Sequence, residues 1–231
     1  MKTFAALTIA MLVFANSWAA GDPIVPVYEE PRHRVLKGNS SLHILDLRIP
    51  PGDTTLFHTH DSPIFYITVQ SAPIRTQRLG EEWQVRPARN LDAGAVRLNE
   101  AYLAEPVTHR VNNIGTDTVR SVLILNERGT NRNPQVNVRE SLPGIPEIDG
   151  TWFSQSRIIL ESGQVLNWDG VDAGVAFVLV SDSHVTLSLP GTSEVHGLTS
   201  LRSVIYLHGD NGYRFENHSK EPATIIAVAL L

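Results

Sequence analysis

A chain of 231 residues that is 42% apolar and 19% charged has the composition of an ordinary globular protein, long enough to bury one large core or two small ones. Its formal net charge of -5, spread without a basic block, argues against a surface for nucleic acid or anionic membrane, because such partners require clustered lysine and arginine. Cysteine is absent, which excludes disulfides, thiolate metal ligands and a cysteine nucleophile.

The chain opens with the pattern of a secretory signal over residues 1–19. Lys2 supplies a positive charge, Phe4 to Phe14 form a short apolar run, and Ser17-Trp18-Ala19 offers a small-x-small cleavage site. The run is too short to span a bilayer well, and no later stretch approaches the length of a membrane span. The mature chain is therefore expected to be exported, free of the membrane and, in the absence of cysteine, at home in a bacterial periplasm.

Beyond residue 20, short β-rich runs alternate with Gly, Pro, Asn and Asp. Strands are expected over Leu42–Ile49, Pro63–Val69, Val107–Asn112 and Val119–Asn126, and again over Ala176–Val180, Val185–Leu189, Ser203–Leu207 and Ala223–Leu230. Residues 128–150, rich in Arg, Asn, Pro and Gly, interrupt the rhythm and read as a connecting segment. This predicts an all-β protein with an N-terminal domain over 20–127 and a C-terminal domain over 151–231.

The two halves repeat. His109-Arg-Val-Asn-Asn113 followed by Val119 to Leu125 parallels Tyr213-Arg-Phe-Glu-Asn217 followed by Ala223 to Leu230, and Arg48-Ile-Pro-Pro-Gly52 parallels Ile159-Leu-Glu-Ser-Gly163. On this alignment Asp169 and Val171 stand where the first half has His58 and His60, and Tyr213 stands for His109. The second half is expected to hold no metal. Asn113 and Asn217 are read as turn-closing residues.

His58 and His60 lie at i and i+2 after a Pro-Gly turn, so on a strand both side chains point to one face; a helix would turn them apart. With His109 they make a three-histidine set that suits divalent iron, manganese, nickel, copper or zinc and leaves coordination positions open. Leu56, Val107 and Val111 share their faces and predict an apolar wall around the ligands. The other histidines, His33, His43, His184, His196, His208 and His218, are read as surface or loop residues. Asp61 faces away by strand parity, while Glu100 and Glu105 are the carboxylates placed to swing in. Tyr66, Thr68 and Gln70 alternate with Phe65, Ile67 and Val69 and form either a polar lining, with Tyr66 as a catalytic acid or substrate-binding group, or a solvated outer face. Arg110 points opposite His109, toward the surface or a domain boundary.

Glycine, five residues, His-x-His is the first signature of the cupin superfamily, and Gly52 to His60 resembles it; His109 to Asn113 is similar to the end of the second, His-x-x-x-Asn. The departure is the glutamate usually found four or five residues after the second histidine, where this chain has Ile64 and Phe65. The resemblance implies two tandem cupin-type β-barrels, each a double-stranded β-helix or jelly roll, one equipped and one degenerate. It also implies a mononuclear site on His58, His60 and His109, with iron(II) the first choice, in a dioxygenase acting on a small organic molecule. The alternative is a non-catalytic cupin that binds or senses a small molecule. Either is compatible with a homo-oligomer.

Overall fold

A computed structural model describes residues 23–86, 92–128, 141–189, 191–201, 203–208 and 212–231. The expected signal at 1–19, most of the expected connecting segment and the side chain of His208 lie outside the described residues.

The first half contributes β1 (Ile24–Pro26), β2 (His33–Asn39), β3 (Leu42–Ile49), β4 (Phe57–His60), β5 (Ile64–Gln70), β6 (Ile74–Arg78), β7 (Gln84–Arg86), β8 (Val96–Asn99), β9 (Val107–Asn113) and β10 (Val119–Asn126). The second contributes β11 (Ile145–Asp149), β12 (Phe153–Leu160), β13 (Val165–Trp168), β14 (Gly174–Leu179), β15 (Val185–Ser188), β16 (Val195–Leu198), β17 (Val204–His208), β18 (Tyr213–Asn217) and β19 (Ala223–Leu230). β11 falls within the stretch read as a connection. Its isoleucines lie among the Pro and Gly that mark loops, so the composition hides a short edge strand paired with β12.

Each half folds into two facing sheets. In the first the orders are β2-β3-β10-β5-β8 and β1-β4-β9-β6-β7; in the second they are β11-β12-β19-β14-β17 and β13-β18-β15-β16. The two halves therefore share one topology, with β1 an added strand parallel to β4. The repeat extends to single hydrogen bonds. Asn113 Nδ2 donates to the carbonyls of Ile49 and Asp117 while its Oδ1 accepts from Gly115, and Asn217 Nδ2 donates to Leu160 and Glu221 while its Oδ1 accepts from Ser219. Gly52 and Gly163 occupy the same turn at φ +78 and +70, conformations that side chains with a Cβ resist, and each donates its N–H to the carbonyl of the matching asparagine.

The β2- and β11-containing sheets pack against each other, which explains the near-continuous apolar sequence of β5. Phe65, Ile67, Val122 and Ile124 meet Phe153, Ala176, Val178, Ile226 and Val228 between the barrels. Ile64, Leu45, Leu123 and Leu125 point the other way, into the first barrel. A strand buried on both faces loses the polar-apolar alternation of a half-exposed one. The interior of the second barrel is filled by Trp168, Phe177, Phe215 and Tyr213 with surrounding aliphatics. The interior of the first combines a small aliphatic floor with histidines and tyrosines.

Candidate metal centre

β4 and β9 are adjacent antiparallel strands, and His58 stands directly opposite His109 in their ladder. The i, i+2 spacing puts His60 on the same inward face. His58 and His60 are 1% and 3% exposed, His109 is half-buried, and one ring nitrogen from each lies within 4.8 Å of the others. His60 Nε2 and His109 Nε2 are 3.2 Å apart. Two imidazole nitrogens at the usual distance from one ion would be separated by about 3.0 to 3.4 Å for coordination angles between square and tetrahedral. The arrangement fits a divalent ion.

The local environment keeps the His58 and His60 rings neutral. Burial first, then the neighbouring His33 and His109, push the His58 pKa down to about 2, and its Nδ1 donates to the Leu56 carbonyl at 3.0 Å, which leaves Nε2 with its lone pair. His60 is held well below the ordinary histidine range by burial and then by His109, His58, His33 and Arg97. Its Nδ1 is buried with no hydrogen-bond partner. Neutral imidazoles with free lone pairs are what a metal requires.

His33 and His43 correct the reading of the remaining histidines as surface or loop groups. His33 is buried, packs its ring 4.7 Å from that of His58, and donates Nδ1 to Glu30 at 2.7 Å. Glu30 is itself buried and accepts from the backbone N–H groups of Leu56 and Arg32. Burial alone would raise its carboxyl, but the hydrogen bond and charge of His33 and the two N–H groups outweigh that and hold it below the usual range. Glu30 thus pins the segment entering β4 to the strand carrying His33. No spacing in the chain links Glu30 to Leu56; only the fold brings them together. His43 stacks on Tyr28 with ring centroids 4.4 Å apart and binds Glu127. His184 and His218 are exposed, in agreement with expectation.

Among the described residues the histidine group contains no carboxylate. Glu100 Oε1 accepts from the Trp152 N–H at the seam between the barrels, and Asp61 and Glu105 are exposed. Ile64 stands in the barrel interior, fully buried, at the place of the absent glutamate. Tyr66 shares that inward face, which settles the two readings of its strand in favour of a lining. Its ring lies 6.5 Å from His60, and its hydroxyl, hydrogen-bonded to Tyr102, is pushed well above the usual tyrosine range by burial and then by Tyr102. Tyr102 stacks on His60 at 5.0 Å, and Arg97 covers the Tyr66 ring at 4.1 Å. Thr68 is buried on the same face, whereas Gln70 is exposed. Arg110 lies on the opposite face of β9, over Phe57 and hydrogen-bonded to Gln77.

The second barrel has no such group among its described residues. Trp168 pairs with Tyr213 in the position that His58 and His109 hold in the first barrel. The expected equivalence of Asp169 with His58 is therefore displaced by one residue, because the path from the turn glycine to the strand is one residue shorter: Gly163 to Trp168 rather than Gly52 to His58. Two residues on, where His60 stands in the first barrel, comes Gly170 at φ +90.

No protein-family model and no curated protein sequence matches the chain. Solved structures do. AerE from Microcystis aeruginosa superposes with a TM-score of 0.57 at 12% identity, over 87% of this chain and 98% of that one. A cupin 2 conserved barrel domain protein from Leptotrichia buccalis gives 0.51 at 7% identity, over 86% and 88%. The chain has the two-barrel cupin fold. Salicylate 1,2-dioxygenase from Pseudoaminobacter salicylatoxidans, in adducts with gentisate, shares it with a TM-score of 0.53 at 11% identity, over 84% of this chain and 70% of the dioxygenase.

Proposed function

We propose that the protein is an exported, metal-dependent cupin enzyme, a dioxygenase that acts on a small organic molecule at a three-histidine iron(II) centre in its first barrel. The observation that carries this reading is the convergence of His58, His60 and His109 in a wall where Ile64 replaces a fourth protein ligand. Three imidazole nitrogens and no carboxylate leave open positions for two exogenous ligands, and iron(II) there would supply oxygen activation. The protein's own residues would then bind and orient. Tyr66 and Tyr102 stand beside His60, hydrogen-bonded to each other over the aliphatic floor of the barrel, which suits a substrate with one polar group to be held or protonated. The filled second barrel serves as the packing partner that buries the outer face of the first. The fold shared with salicylate 1,2-dioxygenase supports the reading.

The test is metal analysis of the protein recovered from the periplasm, followed by an oxygen-uptake screen over small phenols, thiols and diketones. One redox-active ion per chain and substrate-triggered oxygen consumption are expected, both lost in His60→Ala. A tightly held zinc with no turnover would replace the enzyme by a binding or sensing protein, and retention of stoichiometric metal by His60→Ala would overturn the site.

A further inference from the structure

Arg97 lies on β8, the edge strand beside β5, directly opposite Tyr66 in their antiparallel ladder. Residues opposed in this way carry their side chains to the same face of the sheet, so Arg97 projects from the face that lines the first barrel. Its guanidinium covers the Tyr66 ring at 4.1 Å, and that ring lies 6.5 Å from the ring of His60. The positive charge of Arg97 is felt at His60 itself, where it opposes protonation. The arginine is exposed, and among the described residues it is ion-paired to no carboxylate. By contrast, Arg32, Arg34, Arg48, Arg157 and Arg214 are each matched to an aspartate or glutamate.

The repeat supplies a control. Tyr66 lies opposite Leu123 on β10 and Arg97 on β8; the same place in the second barrel belongs to Phe177, which lies opposite Ala227 on β19 and Ile205 on β17. Phe177 is fully buried and Ile205 packs on the same core. The fold therefore requires neither a hydroxyl nor a guanidinium at these positions. The barrel without a histidine group has an apolar pair there, and the barrel with one has a tyrosine and an arginine.

Charge balance points to the occupant. A divalent ion on three imidazoles keeps its full charge, because no carboxylate belongs to the histidine group, and Arg97 adds a further positive charge nearby. Glu30, the buried carboxylate that supports the ligand strand, is already taken up by His33 and by backbone N–H groups. Like charges gathered in a site of low dielectric are costly unless an anion enters it. A guanidinium fork matches the two oxygens of a carboxylate in paired hydrogen bonds, and stacking on an aromatic ring holds the fork in one plane. One guanidinium balances the single charge of a carboxylate, whereas a phosphoryl group, at about -1.5 to -2, calls for more.

We propose that the histidine centre takes a substrate bearing a carboxylate, and that Arg97 selects it by donating paired hydrogen bonds to that group at the Tyr66 side of the centre. The inference rests on the metal centre proposed above and narrows its small organic molecule to an organic anion.

The experiment is calorimetric titration of the full-length mature protein, loaded with cobalt(II), with benzoate and with benzamide, which have the same shape with and without the charge; cobalt content and visible absorption are recorded alongside. Saturable binding of benzoate is expected, at least about ten-fold tighter than that of benzamide. Arg97→Gln should weaken benzoate about ten- to a hundred-fold while leaving benzamide and cobalt content at the parental values, and Arg97→Lys, which keeps the charge but loses the fork, should restore part of the loss. Arg97 is exposed, so its variants should fold as the parent does, with circular dichroism as the check. One cobalt per chain with no binding of benzoate, with equal binding of the two probes, or with benzoate affinity unchanged in Arg97→Gln overturns this proposal and leaves the metal centre standing. Failure to take up cobalt overturns both. An Arg97-dependent preference for benzoate in a protein that consumes no oxygen sustains the carboxylate site and removes only the dioxygenase reading.

Discussion

Trp168 lies across the β13–β18 ladder from Tyr213, their rings stacked 5.8 Å apart, at the register position where His58 faces His109 in the other barrel. One topology thus serves two interiors. Where imidazoles converge, the barrel keeps polar nitrogens turned inward, among them a buried His60 Nδ1 with no hydrogen-bond partner. Where an indole and a phenol stack, with Phe177 and Phe215 against them, the same space is solid.

That difference sets the first expectation, for Trp168→Ala. Removing a large aromatic from a filled core loses its transfer energy and leaves a cavity, which together cost about 3–5 kcal/mol. Trp168 also donates its indole N–H to the Ser141 carbonyl, so that acceptor loses its partner. Urea denaturation should show a loss of that size, while the metal content of the first barrel in the folded fraction stays at the parental value. Loss of metal in the folded protein would mean that the barrels are coupled more tightly than their separate interiors indicate.

Glu30 leads to a second expectation, because it accepts three N–H groups and offers no donor: those of Leu56, Arg32 and the His33 ring. Glu30→Gln keeps the shape but replaces one carboxylate oxygen with an amide that can only donate, leaving at least one buried N–H facing another. The entry to β4 should loosen, and with it the positions of His58 and His60. Groups that orient metal ligands in this way typically contribute about 10- to 100-fold in affinity. Competition with a chromogenic chelator should reveal a loss in that range, with Glu30→Asp restoring part of it. Parental affinity in Glu30→Gln would show that the ligand strand is positioned without this anchor.

The histidine set is legible in the sequence because its geometry is local: an i, i+2 pair on a strand is fixed by the period of the pleat, and His109 lies in the strand that ends at the turn-closing Asn113. The three strands with both faces or ends strongly marked, Leu42–Ile49, Val119–Asn126 and Ala223–Leu230, have the expected bounds. What the sequence hides depends on contacts between distant segments. His33 reads as an isolated polar residue near the start of the chain, and nothing in its neighbours shows that β2 closes over His58. The offset of Trp168 by one residue arises from a shorter turn, a deletion that short motifs cannot place. The Tyr66 and Arg97 pairing is likewise a product of register between two separate strands.

Tyr66 offers a test of the chemistry. Burial and Tyr102 hold its hydroxyl well above the usual range, so it remains protonated at physiological pH, hydrogen-bonded to Tyr102, whose ring stacks on His60. If it protonates or orients a substrate there, Tyr66→Phe should lower kcat by about 10²- to 10⁴-fold with metal content unchanged, the range associated with a positioned acid. Steady-state oxygen uptake on the metal-loaded variant measures it. Unaltered turnover would reduce Tyr66 to a wall of the pocket.

The buried histidines also predict how the metal-free protein responds to acid. His58 titrates at about 2 in the folded chain and His60 well below the ordinary range, whereas both return to about 6.5 when unfolded. Their folded pKa values are depressed, so the unfolded chain takes up protons first as pH falls. The stability they permit is fully present above about pH 6.5 and is lost progressively below it, with a slope approaching 1.4 kcal/mol per pH unit for each histidine. Glu30, Asp53 and Glu147, whose pKa values are lowered by their partners, add to the loss only below about pH 4.5, the ordinary carboxylate range. Urea midpoints of the chelator-treated protein should therefore decline between pH 6.5 and 5, before the carboxylates contribute. His58→Phe should flatten part of that decline, and a parental profile that is level from pH 7.5 to 5 would show that these rings accept protons without unfolding.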